Sequence, residues 1–129
     1  MNKISSLFVI LFVMFSTTQA NAYSCGNAKV LIDHPRYTEV LQQARALYDG
    51  EYHLIALSSY IMSRHSSNVR RFIFAHECGH YKMRGGSEIA ADNYAIRATS
   101  GINFSEAEKR EICRDIGPNR CSNFRRKTR

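Results

Sequence analysis

Apolar residues follow several patterns along this chain, and each pattern predicts a different kind of segment. From Leu7 to Phe15 they form an unbroken run. That is well short of the about 20 residues a helix needs to span a bilayer. With Lys3 before it and Ala20-Asn21-Ala22 after it, the run reads as the core of an export signal peptide, residues 1–22, ending at a small-x-small cleavage site. Beyond it the spacing changes. Lys29 to Asp33 predicts a short strand or a helix entry. Val40, Leu41, Ala44, Leu47 and Tyr48 fall on one face of a helix capped by Thr38 and stopped at Asp49-Gly50. Tyr52 to Met62 carries Leu54, Ile55, Leu57, Tyr60 and Ile61 and predicts a strand or hairpin.

The second half reads as helices separated by strong punctuation. After a polar break at Arg64 to Ser67, Asn68 is placed to cap a helix over 69–82, with Val69, Phe72, Ile73, His76 and His80 along one face. Gly85 and Gly86 permit a sharp reversal. Ser87 then caps a helix through Ala91, Tyr94, Ala95 and Ala98, closed by Gly101. Ser105-Glu106-Ala107-Glu108 is a capping box opening a last helix that ends at Gly117-Pro118. No internal repeat is present. Residues 23–129 therefore predict one small α+β domain, mostly helical, with a short sheet ahead of the 69–82 helix.

Cysteine count and charge add to this picture. Cys25, Cys78, Cys113 and Cys121 all follow the signal peptide, and an even number in a small exported domain favours disulfides. Cys113 and Cys121 flank the Gly117-Pro118 turn, which leaves Cys25 for Cys78. The formal net charge is +7. Much of it lies in Arg120, Arg125, Arg126, Lys127 and Arg129, which read as a solvated, poorly ordered tail able to touch an anionic surface. Export argues against nucleic acid as the partner, and no second apolar stretch is long enough for stable membrane insertion. The expected location is periplasmic or secreted.

The chemistry sits in the 69–82 helix, at His76-Glu77-Cys78-Gly79-His80. Histidines four apart project from one helical face and can each give a nitrogen to one zinc ion. Glu77, one position on, can take a proton from an attacking water. Cys78 lies about 200° round the helix from His76, so its sulfur points away from that face. A catalytic zinc needs a third protein ligand. After the glycine reversal, Glu88 and Asp92 stand four apart on the next helix. One carboxylate can bind the metal while the other accepts a hydrogen bond from a ligand histidine.

These two segments, H-E-x-x-H followed by E-x-x-A-D in Glu88-Ile89-Ala90-Ala91-Asp92, resemble the gluzincin zinc metallopeptidases. The resemblance implies a zincin-like domain of minimal size, Zn2+ held by His76, His80 and Glu88, Glu77 as general base, and Asp92 supporting a ligand histidine. The position of Glu88 in the first turn after the reversal, nearest His80, agrees with that assignment. The metzincin extension is absent, because Met83 and Gly86 stand where its glycine and third histidine belong. The aspzincin glycine-threonine before the aspartate is absent too. His34, His53 and His65 have no ligand spacing and read as surface or loop residues, with His65 or Tyr94 within possible reach of a tetrahedral intermediate. The implied activity is hydrolysis of a peptide or related amide, with the 52–62 segment receiving an extended peptide by strand addition. The rival is a non-catalytic exported binding module stabilised by zinc and disulfides.

Overall fold

The structure is a computed structural model that describes residues 23–37 and 44–129. The signal-peptide reading of residues 1–22 and the Thr38, Val40 and Leu41 part of the expected helix lie outside the described residues.

Three short strands, β1 (Lys29–Ile32), β2 (Ala44–Tyr48) and β3 (His53–Leu57), form a sheet in the order β1-β3-β2. β3 pairs parallel with β1 and antiparallel with β2. The helix expected through residue 48 is thus corrected at Ala44–Tyr48, which is a strand. Ala44, Leu47 and Tyr48 satisfy helical spacing, but Ala44, Ala46 and Tyr48 also alternate at the strand period, and the hairpin partner decides between them. The hairpin is closed by Asp49, whose Oδ1 accepts from the backbone N–H groups of Glu51 at 2.9 Å and Tyr52 at 2.7 Å. In β3, Leu54 through Leu57 are all buried, as befits the middle strand. The Tyr52–Met62 segment is therefore a strand followed by a one-turn helix, α1 (Ser59–Met62), capped by Ser58.

Four longer helices follow: α2 (Ser67–Lys82), α3 (Glu88–Ala98), α4 (Glu106–Ile116) and α5 (Pro118–Lys127). Ser66, not Asn68, caps α2 by accepting from the Val69 N–H at 3.3 Å. The Asn68 amide instead reaches across to the Glu108 carboxylate of α4 at 3.2 Å. Ser87 caps α3 and the Ser105/Glu108 capping box opens α4, as the sequence predicts. α2 packs between two cores. One, beneath the sheet, joins Ile55 and Leu57 to Phe74 and the Cys25–Cys78 disulfide. The other holds Phe72, Phe104 and Phe124 edge to face at centroid distances of 5.2–6.3 Å.

The reading of a poorly ordered tail is overturned by α5, although Arg126, Lys127 and Arg129 are exposed as expected. Gly117 at φ 84° reverses the chain, Pro118 opens the helix, and Phe124 is fully buried against the second core. The expected Cys113–Cys121 bridge ties α4 to α5. Cys25–Cys78 spans 53 residues, for which the loop-closure model gives about 4 kcal/mol of stabilisation. No described helix is long and apolar enough to cross a membrane. The α+β class, mostly helical with a small sheet preceding α2, is as expected.

Candidate metal centre

α2 and α3 run against each other from the Gly85-Gly86 reversal, and one position sets how close they come. A Cβ built on Gly79 would lie 2.9 Å from the Ala91 Cα and 3.0 Å from its carbonyl oxygen. That approach brings His76, His80 and Glu88 together. His76 Nε2 and His80 Nε2 are 3.1 Å apart. Glu88 places Oε2 3.2 Å from the first and Oε1 3.3 Å from the second. Each histidine thus faces its own Glu88 oxygen, and one donor atom from each of the three residues falls within 4.8 Å of the others, a grouping able to hold a metal ion such as zinc.

The remaining ring nitrogens fix the tautomers. His80 Nδ1 faces the Gly86 carbonyl at 3.1 Å and can only donate to it. His76 Nδ1 lies 2.8 Å from Asp92 Oδ1 and donates likewise. Both Nε2 atoms then turn lone pairs toward the Glu88 carboxylate and toward each other, an arrangement that calls for a cation or a shared proton in the middle. The charges agree. Burial alone depresses the His76 imidazole, but the Asp92 hydrogen bond and the carboxylates of Glu77, Asp92 and Glu88 outweigh it. The pKa of His76 stands above the ordinary 6.5.

Asp92 is only 1% exposed. Burial works against its charge, yet hydrogen bonds from Arg120 and His76 outweigh that penalty and hold it below the usual 3.8. Arg120, from α5, clamps it through Nε at 2.6 Å and Nη2 at 2.7 Å. Its Nη1 reaches Glu88 Oε2 at 3.0 Å. The guanidinium thus bridges the Glu88 carboxylate and the Asp92 carboxylate behind His76, and Asp92 in turn raises the Arg120 pKa. The sequence reading missed this residue by leaving it in the tail. The available signal was Pro118, Cys121 and Phe124, a helix-opening proline followed by two buried-type residues three apart.

Glu77 stays out of the triangle. Its Oε2 accepts from the Ala46 backbone N–H of β2 at 2.7 Å. Burial raises its pKa, against the opposing pull of His76 and that N–H. The Ala46 N–H is therefore turned away from β3, and among the described residues β2 is the outer strand of the sheet beside the site. β3, inside the segment expected to add a peptide strand, is paired on both sides and cannot receive one. An open cleft of about 930 Å³ runs between β2 and the end of α2, with His76, Glu77, His80 and Glu88 in its wall.

The other expected participants lie elsewhere. His65 pairs with Glu111 of α4. The Tyr94 hydroxyl donates toward Cys78 Sγ at 3.6 Å, on the disulfide side of α2. Neither lines the cleft. His53 does, packed at a tilt between Tyr48 and Tyr81 at centroid distances of 4.8 and 5.0 Å. Comparison with protein-family models, curated proteins and solved structures finds no significant match.

Proposed function

We propose that this chain is an exported zinc-dependent peptidase or related amide hydrolase of gluzincin type. His76, His80 and Glu88 would hold the metal, with Asp92 and the Gly86 carbonyl fixing the histidine tautomers. A zinc ion there supplies Lewis-acid polarisation of a carbonyl and lowers the pKa of a water. Glu77 takes the proton of the attacking water on its carboxylate and passes it to the departing amine nitrogen. An extended peptide pairs along β2, the outer strand among the described residues, to either side of the Ala46 N–H that holds Glu77.

The observation that carries this reading is Glu77 itself. It is a carboxylate beside a triangle of metal donors, facing a cleft, with its pKa lifted by burial toward the range of a working base. A purely structural metal site has no use for such a group. The two disulfides favour the second reading, a non-catalytic exported binding module, because they staple the fold whether or not metal is bound. Glu77→Gln separates the two. The variant should keep about one zinc per chain and its thermal stability, and lose hydrolysis in a peptide-library digest that chelation also silences in the parent. No stoichiometric zinc in the purified protein, or equal cleavage by parent and variant, would refute the peptidase.

A further inference from the structure

The cleft contains more charge than the proposed chemistry uses. Its two acids are committed, Glu88 to the donor triangle and Glu77 to the β2 edge. The arginine behind the triangle, Arg120, is committed to Asp92 and Glu88. Two more arginines line the cleft, Arg45 on β2 and Arg84 just past the end of α2. Both are exposed, and neither makes an ion pair among the described residues.

Arg84 carries a second feature. Its φ is 51°, in the left-handed region that L side chains rarely adopt, immediately before Gly85 at φ 75°. Glycine is the default residue in that conformation past a helix end. Here a long cation occupies it, one turn on from His80, so the strain accompanies a guanidinium placed at the cleft.

We propose that the cleft selects acidic peptides, with Arg45 and Arg84 as the residues that determine this preference. The inference rests on the peptidase reading of the same site and names its substrate class. An acidic peptide paired along β2 meets a cationic side chain on each of the two elements flanking the cleft, and the positive net charge of the chain draws it in. The tilted, contacting rings of Tyr48, His53 and Tyr81 give it an aromatic wall beside those charges.

The test is binding, read by fluorescence anisotropy on purified protein carrying Glu77→Gln so that bound peptide is not cut. The probes are a dye-labelled glutamate-rich peptide with a central phenylalanine and its counterpart with glutamine at every glutamate. Exposed ion pairs contribute up to about fivefold each, so the acidic probe should bind about tenfold tighter. The margin should shrink in high salt. Arg45→Gln and Arg84→Gln should each remove several-fold of it, and the double variant should remove it all. Equal binding of the two probes, or a preference that survives in the double variant, would overturn the proposal. Arg84→Gly relieves the left-handed strain, so it should melt no lower than its background while losing its share of the preference. A lower melting temperature would instead make Arg84 a structural residue and overturn its role. Hydrolysis by the parent with no acidic preference refutes this inference and leaves the peptidase standing. Acidic preference in a protein that hydrolyses nothing supports the binding site and refutes the peptidase.

Discussion

Gly79→Ala puts one methyl group where α2 and α3 touch, and its consequences can be worked from the structure. The new Cβ would sit 2.9 Å from the Ala91 Cα, 3.0 Å from its oxygen and 3.1 Å from the Tyr94 Cβ. Carbon contacts are comfortable at about 3.5–4.0 Å, so α3 must retreat by about 0.5 Å or more. None of the three atoms belongs to a flexible side-chain end that could swing aside. Overpacking of this kind costs about 1–3 kcal/mol, against about 1 kcal/mol gained by replacing a mid-helix glycine with alanine. The backbone contacts place the cost in the upper half of its range, for a net loss of about 1–2 kcal/mol. In a domain of this size that lowers the melting temperature by about 5–10 °C. The proposed metal centre should suffer more. Ala91 lies between Glu88 and Asp92 on α3, and a displacement of about 0.5 Å is the tolerance of a preorganised site. Zinc titration should show affinity down by more than tenfold, with the melting curve taken in chelator to isolate the packing effect. A variant that melts at or above the parent and binds zinc equally would refute the claim that helix contact at Gly79 sets the donor geometry.

Three further outcomes are expected. Glu88→Ala should nearly abolish zinc binding, whereas Asp92→Asn should weaken it by about 10–100-fold; calorimetric titration giving the reverse order would make Asp92 the ligand. Arg120→Ala leaves the buried Asp92 with His76 as its remaining partner and should cost about 2–3 kcal/mol by denaturant melts, below the 3–5 of a fully buried pair because Arg120 is 22% exposed. Arg120→Lys should recover only part, since an ammonium cannot make the paired bonds. For pH, the raised His76 pKa means that its proton stabilises the metal-free fold fully below about 6.5, and that this contribution is lost as pH rises through the raised value. Zinc competes for the same lone pair, so the zinc-dependent gain in melting temperature should shrink as pH falls, starting above pH 6.5; a gain independent of pH would exclude His76 as a ligand.

How much of this was legible in the sequence follows from what each feature is made of. The paired motifs were readable because α-helical period places His76 with His80, and Glu88 with Asp92, whatever the rest of the chain does. Caps at Ser87 and Ser105 were readable for the same local reason. The strand at Ala44–Tyr48 was not, because both periods fit it and the choice rests on pairing with β3. The Ala46 N–H that holds Glu77 and the Gly86 carbonyl that orients His80 are backbone groups, which leave no mark in residue identity. Arg120 was hidden by composition. Five cations in the last ten residues read as a solvated end, while Phe124, the one large apolar side chain there, anchors the helix that brings Arg120 to Asp92.

The disulfides bear on why so small a domain tolerates this cluster of charge. Burying the Asp92 carboxylate and crowding two imidazoles against Glu88 are costs that a modest core offsets poorly, and small exported domains commonly add staples for that reason. Here each staple ends one residue from the site. Cys78 follows Glu77 on α2, and Cys121 follows Arg120 on α5. The first bridge fixes the α2 backbone beside the proposed base. The second fixes the start of α5, so the Arg120 guanidinium meets Asp92 and Glu88 without having to order the tail by its own hydrogen bonds. A bridge closing a separation of 8 residues contributes about 2.5 kcal/mol in the loop-entropy model, of the same order as the Arg120 clamp beside it. The covalent links therefore both end beside the charged cluster, and reducing conditions should loosen the His76–His80–Glu88 group before they unfold the aromatic core.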